Sequence, residues 1–270
     1  MIEQFKNLFK YKELLLNFAK KELKIKYKNS VLGFFWSLLN PILMMLVFTF
    51  VFTYAFKPQG LAKMGIDSYP LFILAGLLPW NFFNASVIGS TISIVGNASL
   101  IKKVYFPREL LPISIALANL VNFALELLVF LAFIVVIGLF KPRFLAIYKF
   151  LPFLLLLLPI LFILTVGVSL LVAALNVYLR DIQHLVGILL LMLFYSTPII
   201  YPMPTNLGKY TALYSLNPMV SIVMSFKNAL FWLAVPSLHF IAYSSVFAIV
   251  MFLFGYLIFI RLEPDFAEEV

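Results

Sequence analysis

Side chains able to do chemistry are few in this 270-residue sequence, and their positions narrow what they can do. The only histidines are His184 and His239, far apart in the chain. No cysteine is present, which excludes a disulfide framework, a thiolate metal site, a cysteine nucleophile and lipidation on cysteine. No loop cradles phosphate: Gly208-Lys209 is followed by Tyr210, and Met203 stands five residues before Gly208 where such a loop carries glycine. If ATP is used, another chain binds it. One carboxylate, Glu126, lies inside an otherwise charge-free apolar stretch, where an ionisable group marks either a proton relay or a local hydrogen-bonding pair. A relay needs an exchange partner in the membrane. Pairing needs only Asn119 or Asn122 on the same helix, or a hydroxyl on a neighbour.

The elements that hold these residues are set by composition. Residues of the set AVILMFWYC make up 64% of the chain and charged residues 11%, against about 25% charged in soluble proteins. So few charges cannot cover a globule of this size, so lipid is the solvent for most of it. Six charge-poor windows, 29–56, 68–101, 110–140, 150–179, 182–208 and 228–260, each exceed the roughly 20 residues that cross a bilayer as a helix. The expected fold is therefore all-α and integral to the membrane, with six transmembrane helices. Prolines 198, 202, 204 and 218 and lysines 209 and 227 break up the stretch between the fifth and sixth spans. Short re-entrant helices forming an exit gate, or an ordinary extracellular loop, both fit that pattern; re-entrant segments need burial in protein or contact with water.

Of the 20 Lys and Arg, thirteen fall on the side that carries the first 30 residues, so both termini are expected in the cytoplasm. The first apolar run starts near Val31 and is full length, so a cleavable signal is not expected. Within residues 1–30, Leu8, Tyr11, Leu15 and Phe18 share a helical sector of about 80°, and Lys6, Lys10, Lys20, Lys21, Lys24 and Lys28 share one of about 100° opposite. This is expected to be a cytoplasmic amphipathic interfacial helix, apolar face in lipid and lysines toward anionic headgroups, although Lys12, Leu14 and Lys26 depart from the pattern. Residues 31–262 then form the transmembrane domain. Residues 263–270, with Glu263, Asp265, Glu268 and Glu269, form a solvated acidic tail. The net charge of +9 is thus an expectation about membranes, and nucleic acid is not needed to explain it.

Aromatic residues are 17% of the chain. Most Tyr and Trp suit interfacial belts, but Phe34, Phe35, Trp36, Phe194, Tyr195 and Tyr201 stand in turn-like contexts where rings could line a path for a sugar polymer.

Three stretches go further. Lys24-Ile-Lys-Tyr-Lys-Asn-Ser-Val-Leu-Gly-Phe-Phe-Trp-Ser-Leu-Leu-Asn-Pro41 joins the basic helix to the first span. Asn97-Ala-Ser-Leu-Ile-Lys-Lys-Val-Tyr-Phe-Pro-Arg-Glu-Leu-Leu-Pro112 turns between the second and third. Tyr178-Leu-Arg-Asp-Ile-Gln-His184 is followed by Tyr195-Ser-Thr-Pro-Ile-Ile-Tyr-Pro202 and Leu216-Asn-Pro218. In this order they resemble, over essentially the whole chain, the permease subunit of ABC type-2 exporters of O-antigen, capsular polysaccharide or teichoic acid.

The resemblance implies a half-transporter in the cytoplasmic (inner) membrane of a bacterium: two copies of this chain, paired with two copies of a separate ATPase subunit that binds ATP and Mg. This chain itself would be no enzyme and would hold no cofactor or metal. The ATPase contact would fall on Lys102, Lys103, Tyr105, Phe106, Pro107, Arg108 and Glu109, with an aromatic knob fixed by Pro107 and flanked by cations. Arg180 and Asp181 would either join that contact or pair locally. The cargo would be a lipid-linked glycan whose phosphate meets Lys24, Lys26 and Lys28 as point charges. Two alternatives remain: export of small lipophilic compounds on the same architecture, and a proton-coupled secondary transporter that depends on Glu126.

Overall fold

A computed structural model describes residues 10–28, 35–51, 68–203, 214 and 216–270, and every element among them is helical. In chain order these are α1 (Lys12–Tyr27), α2 (Phe35–Phe50), α3 (Tyr69–Thr91), α4 (Ala98–Ile101), α5 (Leu110–Phe140), α6 (Leu151–Tyr178), α7 (Ile182–Ser196), α8 (Pro218–Lys227), α9 (Leu238–Leu262) and α10 (Phe266–Glu269). 3-10 segments occupy Val95–Asn97, Pro142–Lys149 and Glu263–Asp265, and a π turn covers Asn228–Trp232. Prolines mark several starts: Pro70, Pro152 and Pro218 stand in the first turns of α3, α6 and α8, where the missing N–H is not required. Pro142 follows the last turn of α5 and cannot continue it.

Four helical segments are long and apolar enough to cross a bilayer: Tyr69–Thr91, Leu110–Phe140, Leu151–Tyr178 and Leu238–Glu269. The other two expected spans correspond to shorter helices among the described residues. α2 has 16 residues and α7 has 15. At 1.5 Å per residue α7 extends about 22 Å, less than the roughly 30 Å of hydrocarbon.

α3 is the most enclosed helix, packing on α5, α6 and α8, with Leu71, Phe72, Ile73 and Ala75 fully buried. The most extensive pairing joins α6 and α9. Their backbones touch: a Cβ at Gly255 would lie 2.1 Å from the Gly167 carbonyl oxygen, and one at Gly167 2.6 Å from the backbone nitrogen of Phe252. Lipid is as apolar as leucine, so close van der Waals packing across small residues, not water exclusion, holds such a pair together.

Two apolar clusters result. The larger surrounds α3, α6 and α8; the smaller sits at the end of the bundle that carries α4 and the C-terminal segment and contains Ile101, Phe106, Leu110, Tyr256, Phe259 and Phe266. Two expectations are refined here. Tyr11 and, on α1, Leu14, Leu15 and Phe18 pack partly buried against this second cluster and Ala19 is buried, so part of the apolar stripe of this segment meets protein; Leu8 lies outside the described residues. The periodicity is the same in either case, because lipid and a protein groove select the same apolar stripe. The acidic tail is not simply solvated either: Phe266 is fully buried, with its ring 5.3 Å from Phe259 and 6.4 Å from Tyr178.

Candidate functional site

The turn after α4 is built on two anchors. Phe106 is 4% exposed and meets Phe18 of α1 edge to face at 5.5 Å. Arg108 is held by the C-terminal segment: its backbone N–H donates to Glu263 Oε1 at 3.0 Å, and its guanidinium donates to the Glu263 carbonyl. Between the anchors Tyr105 is 92% exposed, and Val104, Lys102 and Lys103 are exposed beside it. The turn thus projects one aromatic ring with two cations while its next residue is the plug that fixes it. Phe106 is therefore corrected from exposed knob to buried anchor, since an apolar groove under α1 was available to it. Arg108 is committed to the C-terminal segment. Pro107 is half-buried.

Glu109, beside them, is buried. Burial pushes its carboxyl up to about 7, and the nearby Glu263 carboxylate adds to the rise. The C-terminal segment also reaches the next turn: the Tyr178 hydroxyl donates to the Leu262 carbonyl at 3.1 Å and stands 3.4 Å from Asp265 Oδ2. Arg180 and Asp181 are exposed just after Tyr178. The Asp181 carbonyl accepts from the amides of His184 and Leu185, which starts α7.

At the opposite end, four carbonyls around the turn after α7 accept from side chains. Tyr195 O accepts from the Tyr201 hydroxyl at 2.8 Å, and Ile200 O from the Tyr69 hydroxyl. Pro198 O and Ile199 O both accept from Lys227 Nζ, at 2.6 and 2.8 Å. Lys227 is 0% exposed, and its ammonium lies 3.4 Å from the centre of the Phe72 ring. Asn217 caps α8 by accepting from the Met219 amide at 3.0 Å, while its own amide group donates to Thr197 Oγ1 at 3.0 Å. Buried non-helical backbone must find its partners within the protein, and here the Lys227 end of α8 supplies two of them while the Asn217 end bonds a hydroxyl of the turn. Gly76 on α3 leaves the space: a Cβ there would meet Lys227 Cε at 2.7 Å. The charge of Lys227 alone suits an extracellular loop; its position at the end of an apolar ten-residue run was the available sign that it closes a buried helix.

Three of the aromatic residues expected along a path lie together. Phe194 lies 5.6 Å from Trp80 and 5.3 Å from Tyr195, and Tyr201 bonds to Tyr195, so these form one group at the end of α7. Phe35 and Trp36 are exposed at the start of α2, a helix that packs on α3 and α5. Phe34 lies outside the described residues. The lysine trio is divided. Lys24 and Lys28 share a groove of about 460 Å³ with Lys20, Lys21 and Asn17, whereas Lys26 faces a different cleft with Glu126, Asn81, Asn84, Asn119 and Asn122.

An all-helical membrane chain with charged turns at one end and a proline-broken, side-chain-latched turn at the other is the frame of a transporter permease. Residues 13–231 match the ABC-2 type transporter family, and the chain belongs to it. It is 32% identical over 272 residues to the O-antigen export system permease protein RfbA of Myxococcus xanthus, covering all of both chains. A protein of the same name from Klebsiella pneumoniae is 31% identical over 260 residues, 95% of this chain and 94% of that one. The polysialic acid transport protein KpsM of Escherichia coli is 26% identical over 212 residues, 77% of this chain and 78% of that one.

Proposed function

We propose that this chain is the transmembrane subunit of an ATP-driven exporter that moves a lipid-linked polysaccharide across the inner membrane of a bacterium. Family membership and the polysaccharide-export names of its relatives support the cargo. The observation that carries the coupling is the cytoplasmic turn, where Tyr105 is 92% exposed on a mount fixed by Phe106 and Arg108. A large ring held rigidly in water is a costly exposure with no role within this chain, and aromatic anchors of this kind dominate protein interfaces. The partner is a separate ATPase that binds ATP and Mg; two copies of each subunit form the transporter. Lys102 and Lys103 beside Tyr105, and Arg180 and Asp181 at the next turn, complete the docking face.

In this reading residues 1–30 lie at the cytoplasmic side, 31–262 form six spans with α2 and α7 as the two short ones, and both termini face the cytoplasm. α8 and the turn 197–199 form a re-entrant gate on the far side. The aromatic group of Phe194, Tyr195 and Tyr201, with Phe35 and Trp36, lines the glycan's route, and of the lysine trio Lys24 and Lys28, which share one groove, meet the substrate phosphate.

The test is co-purification in mild detergent followed by Tyr105→Ala. The reading expects an ATPase subunit whose hydrolysis depends on this chain, and loss of both its binding and surface polysaccharide in the variant. A permease that transports without nucleotide, or normal surface polysaccharide with a new sensitivity to lipophilic compounds in a deletion strain, overturns it. Glu126→Gln abolishing transport while a dead ATPase leaves it intact would establish proton coupling instead.

A further inference from the structure

α1 runs alongside the first half of α5, and its inner face changes character along the way. Tyr11, Leu15 and Phe18 pack on the cytoplasmic cluster; one and two turns later the same face presents Glu22 and Lys26. Both line a cleft of about 430 Å³ with Ala85, Gly89, Gly96 and Ala118, small residues that leave room between α3 and α5. A second cleft of about 250 Å³ adjoins it through Lys26, Ala85, Asn119 and Asn122 and adds Asn81, Asn84 and Glu126. The cytoplasmic mouth is marked by Asn97, whose carboxamide oxygen accepts from Lys21 Nζ at 3.1 Å. Glu126 stands sixteen residues beyond the start of α5, about 24 Å along its axis. A seam therefore leads from the turn after α4 to the middle of α5: its outer cleft is mainly apolar, with Glu22, Lys26 and asparagines set into it, and its inner cleft is mainly polar.

We propose that this seam binds a neutral, polyhydroxylated group: a sugar residue of the lipid-linked substrate. The proposal rests on the polysaccharide reading above and assigns it a site distinct from the aromatic group at the end of α7. The lining selects the ligand. A phosphate alone would face the carboxylates of Glu22 and Glu126, a simple cation would face Lys26, and an apolar compound would desolvate four carboxamides without replacing their hydrogen bonds. Sugar hydroxyls both donate and accept, as carboxamides do, and Glu126 accepts from them. The combined space falls in the range of about 300–1,000 Å³ typical of small-molecule sites. Polar side chains spread over this depth of a membrane protein are expensive to retain, which favours a use for them beyond packing.

The experiment uses the permease–ATPase complex in nanodiscs, with Ile88, an apolar residue of the seam, replaced by a photoreactive phenylalanine derivative. Two probes are compared: a polyprenyl diphosphate carrying one N-acetylhexosamine, and the same lipid without sugar. The sugar-bearing probe should label about tenfold more, the effect of one or two hydrogen bonds. Free N-acetylhexosamine should compete in the otherwise unaltered protein, and Asn84→Leu with Asn119→Leu should abolish the difference. Equal labelling by both probes overturns the proposal, as does a difference that persists in the double variant. Competition needs no asparagine variant, so it decides the matter even if the double variant misfolds. Normal export of surface polysaccharide with equal labelling refutes this site alone; absent export in cells with the intact protein refutes the proposed function.

Discussion

The two ends of the molecule solve one problem in opposite ways. At the end that carries the C-terminal segment, Arg108 ties the turn after α4 to that segment, and the tie leaves Tyr105 and two lysines exposed. At the other end, Lys227 ties the turn after α7 to α8, and its amine is 0% exposed and engaged by two carbonyls and a ring. An exposed turn can have its backbone satisfied by solvent, so its side chains are free for a partner. In a buried turn the backbone claims them first. The turn after α4 is a mount and the turn after α7 is a latch.

Substitutions can separate the two. The largest effect is expected from Phe106→Ala, which empties the cavity beneath the mount and should cost about 3–5 kcal/mol, read as a fall in thermal unfolding temperature of the detergent-solubilised protein. Tyr105→Ala one residue earlier should change that temperature little; equal losses from both would mean that the turn is not divided into anchor and ring. Lys227→Met keeps most of the side-chain volume but strands the Pro198 and Ile199 carbonyls, with an expected cost of about 3 kcal/mol. Limited proteolysis should then cut near residue 200, and an unchanged digestion pattern would deny the latch. Asn217→Ala removes the α8 cap, worth about 1 kcal/mol, and should weaken the same region without opening it.

The smallest expected effect is a pH dependence confined to the end that carries the turn after α4. The Glu109 carboxyl titrates near 7 in the folded protein, against an ordinary value of 4.5. Between those values the folded state holds a proton that an unfolded chain releases. This contribution to stability is complete below about 4.5 and is lost as pH rises through about 7. Melting profiles at pH 6 and pH 8 should therefore differ, and Glu109→Gln should flatten the difference; a profile that keeps its slope in the variant assigns the titration elsewhere.

Much of this was legible beforehand, and unevenly. The windows 68–101, 110–140, 150–179 and 228–260 each hold a long helix, because hydropathy and proline placement act within a single segment. The turn around Tyr105 was recognisable from its aromatic-proline insertion among cations, whereas Leu216-Asn-Pro218 stood out only as a motif and its capping role came from the fold. Which of Tyr105 and Phe106 faces water was not legible, because both are aromatic and only the groove under α1 distinguishes them. Lys26 stood out as a misfit in the lysine sector; its partners across α3 and α5 lie 55 to 100 residues away in sequence.

The sequence by itself determined the solvent, the helices, the family and the turns that interrupt them, since each depends on residue types within one stretch of chain. Tertiary structure decided which apolar faces meet protein and which meet lipid, and which lysines keep their water. Lipid and a packed helix offer an apolar side chain the same environment, so periodicity cannot tell them apart. A buried cation is tolerated only where distant carbonyls and rings converge on it, and that convergence exists only in the fold.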